Sequence, residues 1–358
     1  MKDIGSIFPL YDSDLNHLDN KSWSWYDAER VNYSLCREAF TAIISKMQDS
    51  GKKVLIPSYT CGTVITPFKE QAWSCYYYPI DKTLRIDVTE TQKLIINQKF
   101  DLMIVHPYYG KDLNDEEIAL IKAVRSTGCK IIVDLTQCIF SKQRLDFVDF
   151  YIGSYRKWFS IPDGGFMECA NISAYIDESL KENDKFVSLQ KDSMYLRGLY
   201  FDTDNEEEKN ISRRINKFAV ELVESNVCPH RMSNVSLQLL EKEDEEENQR
   251  QRFENYKYLF ENLQSIDSCK FVCENFREVT SAPLYFVVYV NDRPQLQADL
   301  AAQHIYAPVI WPLSYDEVLI NDTVKDIYNT ILAIPIDQRY NQEDMDKIVR
   351  IIKQHYNV

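Results

Sequence analysis

The sequence predicts an α/β protein with a mainly parallel sheet, and three observations support this fold class. Short apolar runs alternate with helix-like segments through the first two thirds of the chain. These runs are apolar on both faces, which is typical of parallel strands covered by helices on both sides. After a charge-rich segment, strand-like runs return from Leu284 onward and predict a small C-terminal lobe.

The predicted strands are rich in β-branched and aromatic residues, and amphipathic helices lie between them. The strands are KKVLIPS (52–58), CYYYPID (75–81), DLMIVHPYYG (101–110), CKIIVDLT (129–136) and FVDFYIGS (147–154). The helices are REAFTAIISKM (37–47) and DEEIALIKAVRST (115–127). Ligands of parallel sheets bind at the carboxyl ends of the strands, so Tyr59, His106, Asp134 and Ser154 are candidate site residues.

The rest of the chain predicts a helical link and a smaller lobe. The charged, helix-favouring run LLEKEDEEENQRQRFENYKYLFENL (239–263) predicts one long exposed helix. A strand at LYFVVYV (284–290) and helices at 293–303 and 341–356 follow. We therefore expect a large domain over residues 1–235, and a linking helix with a small domain over residues 236–358.

Composition restricts the classes of partner. The 358 residues are 45% hydrophobic and 27% charged, as in ordinary globular proteins, and the net charge of −14 disfavours a nucleic-acid partner. We expect no secretory signal and no membrane span, because no basic start precedes an apolar run and no apolar run approaches ~20 residues. The nine scattered cysteines indicate reduced thiols in a cytoplasmic protein, with neither a disulfide framework nor a metal site.

One stretch, VDLTQCIFSKQRLDFVDFYIGSYRKWFSIPDGG (133–165), places Lys157 among aromatic residues and before a Gly-Gly turn. Each residue alone has an ordinary explanation. Asp134 could be a helix N-cap or a turn residue, and Lys157 a surface lysine. The combined order of Asp134, Gln137, Ser154 and Lys157 is more informative.

At these residues the sequence resembles the pyridoxal phosphate (PLP) enzymes of the aspartate-aminotransferase fold type, and among them the DegT/StrS-type sugar aminotransferases. The resemblance covers most of the chain and rests on six segments in register: VLIPSYTC, YYPIDKTLRID, VHPYYGKDLND, VDLTQ, GSYRKWFSIPDGGF and LAIPIDQRYNQEDMDKIVRII. It implies a three-layer, aspartate-aminotransferase-like domain with PLP as its cofactor.

The resemblance also implies catalytic roles. Lys157 would react, as an uncharged amine, with the PLP aldehyde and would move the reacting proton. Asp134 would pair with the pyridine nitrogen and keep it protonated. Gln137 would contact the ring hydroxyl.

For the phosphate, the resemblance implies two kinds of donor. Ser154 is placed like the phosphate-binding serine of the fold type, although a simple turn hydroxyl is the alternative. The backbone amides of Cys36 and Arg37, where YSLCREAF opens a helix, are the other candidates.

Two positions depart from the family pattern. Cys61 stands where the family commonly has an aromatic residue stacked on the cofactor ring, so Tyr59 or another ring would take that role. Pro229, in CPHRMS, stands where the family has an asparagine that reaches the partner subunit's phosphate.

Two further residues have open alternatives, and a third has one expected role. His106 is a packed histidine that supports other site residues in one interpretation, and a base or substrate contact in the other. Arg339 could bind a substrate carboxylate or phosphate, or form a structural salt bridge. For Trp311 we expect packing in the small lobe.

Taken together, the resemblance implies a homodimeric aminotransferase that moves an amino group from a donor such as glutamate to a nucleotide-linked keto-sugar. Another PLP-dependent reaction, such as dehydration or acyl transfer, would use the same lysine and aspartate. A binding protein that keeps the fold without catalysis is the third possibility.

Overall fold

The computed structural model describes residues 3–16, 18–19, 21, 23–47, 51–224, 228–273 and 275–358. The helices formed by these residues are too short or too polar to cross a membrane. The helices are α1 (Asp12–Leu15), α2 (Cys36–Ser45), α3 (Gly62–Glu70), α4 (Val88–Asn97), α5 (Asp115–Ser126), α6 (Asp184–Thr203), α7 (Glu206–Glu224), α8 (Asn234–Leu240), α9 (Glu245–Leu263), α10 (Arg293–Ala301), α11 (Asp322–Thr330) and α12 (Gln342–Tyr356). The strands are β1 (Arg30–Tyr33), β2 (Lys53–Pro57), β3 (Ser74–Tyr78), β4 (Leu102–Val105), β5 (Lys130–Asp134), β6 (Phe150–Ser154), β7 (Gly165–Glu168), β8 (Lys270–Phe271), β9 (Tyr285–Tyr289) and β10 (Ile331–Pro335).

The main sheet has the strand order β1-β7-β6-β5-β4-β2-β3. Parallel pairing joins β3 to β2, β2 to β4, and β4 to β5, whereas β7 pairs antiparallel with β6 and β1. The residues of β4 are all buried, as expected for a strand with helices on both faces. The predicted α/β class with a mainly parallel sheet is confirmed, and β2 to β6 are the five predicted strands.

By its internal contacts the chain forms two compact units. The first is built mainly from Ser6–Asp49 and Asp149–Glu243, and the second from Asp3–Gly5, Ser50–Val148 and Asp244–Val358. The division into domains at residues 235 and 236 stays a prediction.

In the second unit, a smaller antiparallel sheet of order β10-β9-β8 packs with α9, α10 and α12. Its core includes Leu259, Phe286, Val288, Leu332 and Ile348, all fully buried. The strand and helices predicted from Leu284 onward are therefore present.

The prediction of one long exposed helix over 239–263 is wrong in two respects. The chain turns after α8, and Asp244 begins a new helix, α9, by accepting a hydrogen bond from the Glu247 amide. One face of α9 is also buried, because Tyr256, Leu259 and Leu263 recur at helical spacing and pack into the core of the smaller sheet.

Candidate functional site

Asp134 ends β5, a strand whose last four residues are all buried. Its side chain is 95% buried, and one carboxylate oxygen accepts a hydrogen bond from the Thr136 amide at 2.9 Å. This bond begins a short 3-10 turn, Leu135–Gln137. The other carboxylate oxygen lies 3.6 Å from Nδ1 of His106. A buried carboxylate is therefore held at the end of a strand by one amide and lies beside one imidazole.

His106, which follows β4, is held from its other ring nitrogen as well. Its Nε2 lies 2.8 Å from the Thr60 hydroxyl. The Thr60 amide donates in turn to the Tyr328 hydroxyl at 3.1 Å, and that hydroxyl donates to the Thr60 carbonyl. These contacts agree with the interpretation of His106 as a packed histidine that orients Asp134.

Gln137 ends the 3-10 turn with its side-chain amide buried. Among the described residues, none makes a well-formed hydrogen bond with its Nε2 or Oε1, and the nearby group that interacts with this amide is the Tyr109 hydroxyl. A buried amide without partners costs about 1–3 kcal/mol, so its retention here needs an explanation. A ligand that supplies those hydrogen bonds is one.

An aromatic cluster lies beside His106. Tyr59 is fully buried, and its ring centroid is 5.3 Å from that of Trp311 and 5.7 Å from that of Tyr108. Trp311 also lies 5.8 Å from the imidazole of His106. The sequence predicted only a packing role for Trp311 in the small lobe, and no local feature around it indicates its contacts with Tyr59 and His106.

Cys61, at the position where the family usually has an aromatic residue, is the N-cap residue of α3. Its thiol lies 3.0 Å from the Thr63 hydroxyl. The thiol is therefore engaged within the first turn of its own helix.

Lys157 belongs to the first unit and ends a 3-10 turn, Tyr155–Lys157, directly after β6. It is half-buried, between the buried Tyr155 and Trp158. Among the described residues, none forms an ion pair or hydrogen bond with its amine. A lysine without a carboxylate partner can act as a nucleophile or proton carrier.

Ser154 and the start of α2 both lie beside Gly165. Ser154 is buried and pairs with Gly165 across β6 and β7. A Cβ atom added at Gly165 would clash with the Cys36 amide nitrogen and lie 2.7 Å from the Leu35 carbonyl carbon. Only glycine leaves room for this approach, which brings a serine and a helix N-terminus to one place. The side chain of Arg37 instead donates to the Val223 carbonyl at 3.2 Å.

Pro229 precedes a histidine that packs against the same helix. His230 Nδ1 lies 3.2 Å from the carboxylate of Glu38, and the His230 amide donates to that carboxylate at 3.1 Å. The hydrogen bond with Glu38 raises the pKa of His230. This segment therefore supports the first turn of α2 within its own chain.

Arg339 contacts a carboxylate of its own chain. Its Nε and one terminal nitrogen donate to the two oxygens of Asp337 at 2.7 and 2.8 Å. This contact is the structural salt bridge, one of the two roles that the sequence analysis offered for Arg339. Substrate binding by Arg339 stays a prediction.

The structure thus brings together two groups of predicted residues, one in each unit. In the second unit, Asp134 lies beside His106, and Trp311 packs against both His106 and Tyr59. In the first unit, Ser154 and the amides at the start of α2 meet beside Gly165, and Lys157 follows Ser154 by one 3-10 turn.

No protein-family model and no curated protein matches this sequence, but solved structures match nearly all of it. A DegT DnrJ EryC1 StrS aminotransferase from Brucella abortus has a TM-score of 0.64 at 16% sequence identity, over 92% of this chain and 86% of that one. PseC from Helicobacter pylori, an aminotransferase involved in pseudoaminic acid biosynthesis, has a TM-score of 0.67 at 11% identity, over 99% of this chain and 100% of that one. DesI, in the presence of its TDP-sugar product, has a TM-score of 0.63 at 12% identity, over 91% of this chain and 80% of that one.

The chain has the aminotransferase fold. The aspartate-aminotransferase-like architecture implied by the six sequence segments is confirmed. At identities this low, the likeness establishes the fold alone.

Proposed function

We propose that this protein is a PLP-dependent aminotransferase. The observation that carries the proposal is the end of β5 in an aminotransferase fold, where buried Asp134 is held by the Thr136 amide and lies beside His106. A buried carboxylate is costly without a cationic partner, and a protonated pyridine ring is such a partner.

The residues present fit PLP at three further points. The buried amide of Gln137, which makes no well-formed hydrogen bond with the described residues, fits the ring hydroxyl. Ser154 and the N-terminus of α2, which both lie beside Gly165, supply a hydroxyl and backbone amides that suit a phosphate, because helix N-termini and hydroxyl groups bind anions. The amine of Lys157, which has no ion-pair or hydrogen-bond partner in the described part of the chain, fits the aldehyde.

We assign the roles accordingly. Asp134 would hold the ring nitrogen, Gln137 the ring hydroxyl, and Ser154 with the amides of Cys36 and Arg37 the phosphate. When bound, PLP supplies an electron sink for the bonds around the substrate's α-carbon.

This chain's own groups would do the rest. The Nζ atom of Lys157 would take a proton from the donor amino acid's α-carbon and return one to the acceptor's carbon in the second half of the reaction. His106 would keep Asp134 oriented. The packed rings of Tyr59 and Trp311 would exclude water from the surroundings of His106.

For the substrates, we propose an amino acid donor such as glutamate and a nucleotide-linked keto-sugar acceptor. Support comes from the solved structures of similar fold, one of which is DesI in the presence of its TDP-sugar product. We also propose a contact from Arg339 or His106 to the substrate, a cytoplasmic location and a homodimer. A monomeric mass by light scattering with PLP bound would contradict the last of these.

The assignment is tested by borohydride reduction with PLP, followed by peptide mass mapping. We expect a pyridoxyl group on Lys157 and none in Lys157→Ala, whose unfolding temperature should stay near that of the wild type. Modification of a different lysine in the wild type would show the assignment to be wrong.

A second measurement separates transamination from the other reactions. Glutamate added to the PLP-loaded protein should yield pyridoxamine phosphate and 2-oxoglutarate in equal amounts. PLP that attaches to Lys157 but is not converted by any amino acid would indicate a different PLP-dependent reaction. No attachment would indicate a binding protein.

A further inference from the structure

Asp163 is a fully buried carboxylate among serine side chains in the first unit. One of its oxygens accepts hydrogen bonds from the hydroxyls of Ser233, at 2.6 Å, and Ser236. The other accepts from the Ser233 amide at 3.1 Å. Burial raises the pKa of Asp163 to about 6, although the serine hydrogen bonds oppose the shift. This costly group lies six residues after Lys157 and has no part in the chemistry proposed above.

The loop that carries Lys157 closes beside Asp163. The carbonyl oxygen of Gly164 accepts hydrogen bonds from the amides of Tyr155 and Arg156 at 3.0 and 3.4 Å, which ties the loop's exit to its entrance. The Gly164 amide donates to the Ser34 carbonyl at 2.7 Å. The hydrogen bonds of the Asp163 side chain therefore anchor the residue directly before Gly164, through which the loop closes.

The partners of Asp163 come from a separate segment of the chain. Ser233 is the N-cap residue of α8. The Met232 amide just before it donates to the Asn32 carbonyl in β1 at 3.0 Å. The base of the lysine loop is thus fastened to the start of α8 by hydrogen bonds that converge on one carboxylate, and the residue just before Ser233 is hydrogen-bonded to β1.

We propose that Asp163, through Ser233 and Ser236, is a positioning residue that fixes the base of the lysine loop and thereby the place of the Lys157 amine. This inference rests on the function proposed for Lys157. A carboxylate suits the task because it accepts three hydrogen bonds from fixed donors, and each bond to a charged group is stronger than a neutral one.

The test compares Asp163→Asn and Ser236→Ala with a matched control, Ser212→Ala. Ser212 is also a buried serine of the first unit, and its hydroxyl donates to the Ser193 carbonyl at 2.8 Å, between α6 and α7. One readout is hydrogen exchange at the Tyr155 and Arg156 amides. The other is the PLP concentration that gives half-maximal borohydride trapping on Lys157.

Loss of a hydrogen bond to a charged group should speed exchange at Tyr155 and Arg156 roughly tenfold or more, and raise the trapping concentration by a similar factor. Ser212→Ala should change neither by more than about threefold, even where it lowers the unfolding temperature equally. Ser236→Ala removes one hydroxyl only, so it decides the matter if Asp163→Asn does not fold.

Several results would overturn the inference. Faster exchange confined to the amides of α8 would mean that Asp163 only stabilises that helix, and unchanged trapping with faster loop exchange would mean that the tether does not place the amine. If the wild type traps no PLP on Lys157, the proposed function fails. The inference is then judged by exchange alone, and protected amides at Tyr155 and Arg156 in both variants would overturn it.

Discussion

Asp163 and Asp337 are both buried aspartates, yet their surroundings push their pKa values in opposite directions. Asp163 lies among serine hydroxyls, and burial raises its pKa to about 6. Burial acts to raise the pKa of Asp337 too. The charge and hydrogen bonds of Arg339, together with the charge of Arg252, outweigh burial and bring the pKa of Asp337 below its usual value.

The difference lies in the counter-charge rather than in the depth of burial. Two guanidinium groups face Asp337, and Arg252 is itself 99% buried, with burial lowering its pKa to about 10. Serine hydroxyls and an amide bring no positive charge to Asp163. A carboxylate with paired charges stabilises the fold when ionised, whereas one held by neutral donors is costly when ionised.

The largest effect is expected from removing the counter-charge of Asp337. Arg339→Met should lower the free energy of unfolding by about 3 kcal/mol, because it leaves a carboxylate buried without its bidentate partner. Chemical denaturation at neutral pH measures the free energy of unfolding. As a control, Arg350→Ala, at an exposed position of α12, should change the free energy of unfolding by less than about 0.5 kcal/mol. A loss below about 1 kcal/mol in Arg339→Met would mean that Arg252 alone balances Asp337.

The second effect concerns pH and Asp163. The folded protein holds the proton of this carboxyl up to a pH of about 6, whereas the unfolded chain releases it near 3.8. Stability from this group is therefore full below pH 3.8 and is lost as pH rises to about 6, by about 3 kcal/mol. Subtracting the denaturation curves of Asp163→Asn from those of the wild type at each pH isolates this slope. A flat difference between pH 4 and 7 would show that Asp163 keeps an ordinary pKa.

The smallest effect extends the comparison to a buried amide that forms no well-formed hydrogen bond with the described residues. Gln137→Met removes these two buried polar atoms, so the protein without PLP should become more stable by about 1 kcal/mol. The same change should weaken PLP binding several-fold, as measured by equilibrium dialysis. Gln303→Met, at an exposed position, should alter neither. A less stable Gln137→Met would mean that the amide serves packing rather than a ligand.

The sequence predicted the buried parallel strands well, because a run such as LMIV in β4 has few other stable arrangements. It did not predict β1 and β7. These strands, RVNY and GFME, are short and mixed in polarity, and they form by antiparallel pairing of Arg30 with Glu168. Pairing over such a distance leaves no local periodicity to detect.

For the candidate site, Asp134, Gln137, Ser154 and Lys157 were chosen from their order within one stretch of the sequence, and their roles stay a prediction. Trp311 could not be found in this way. Its contact with Tyr59 joins positions that are far apart in the chain, and a lone tryptophan gives no signal of that contact. Asp163 was visible only as part of a turn, since its serine partners lie some 70 residues further along the chain.

The pairing of β1 with β7 also affects synthesis. Arg30 leaves the ribosome 138 residues before its partner Glu168. At translation rates of ~5–20 residues per second, β1 waits roughly 7–30 s for the strand that pairs with it. During that interval its backbone hydrogen-bonding groups are open to other chains, so slower translation or missing chaperones should reduce the yield of folded protein.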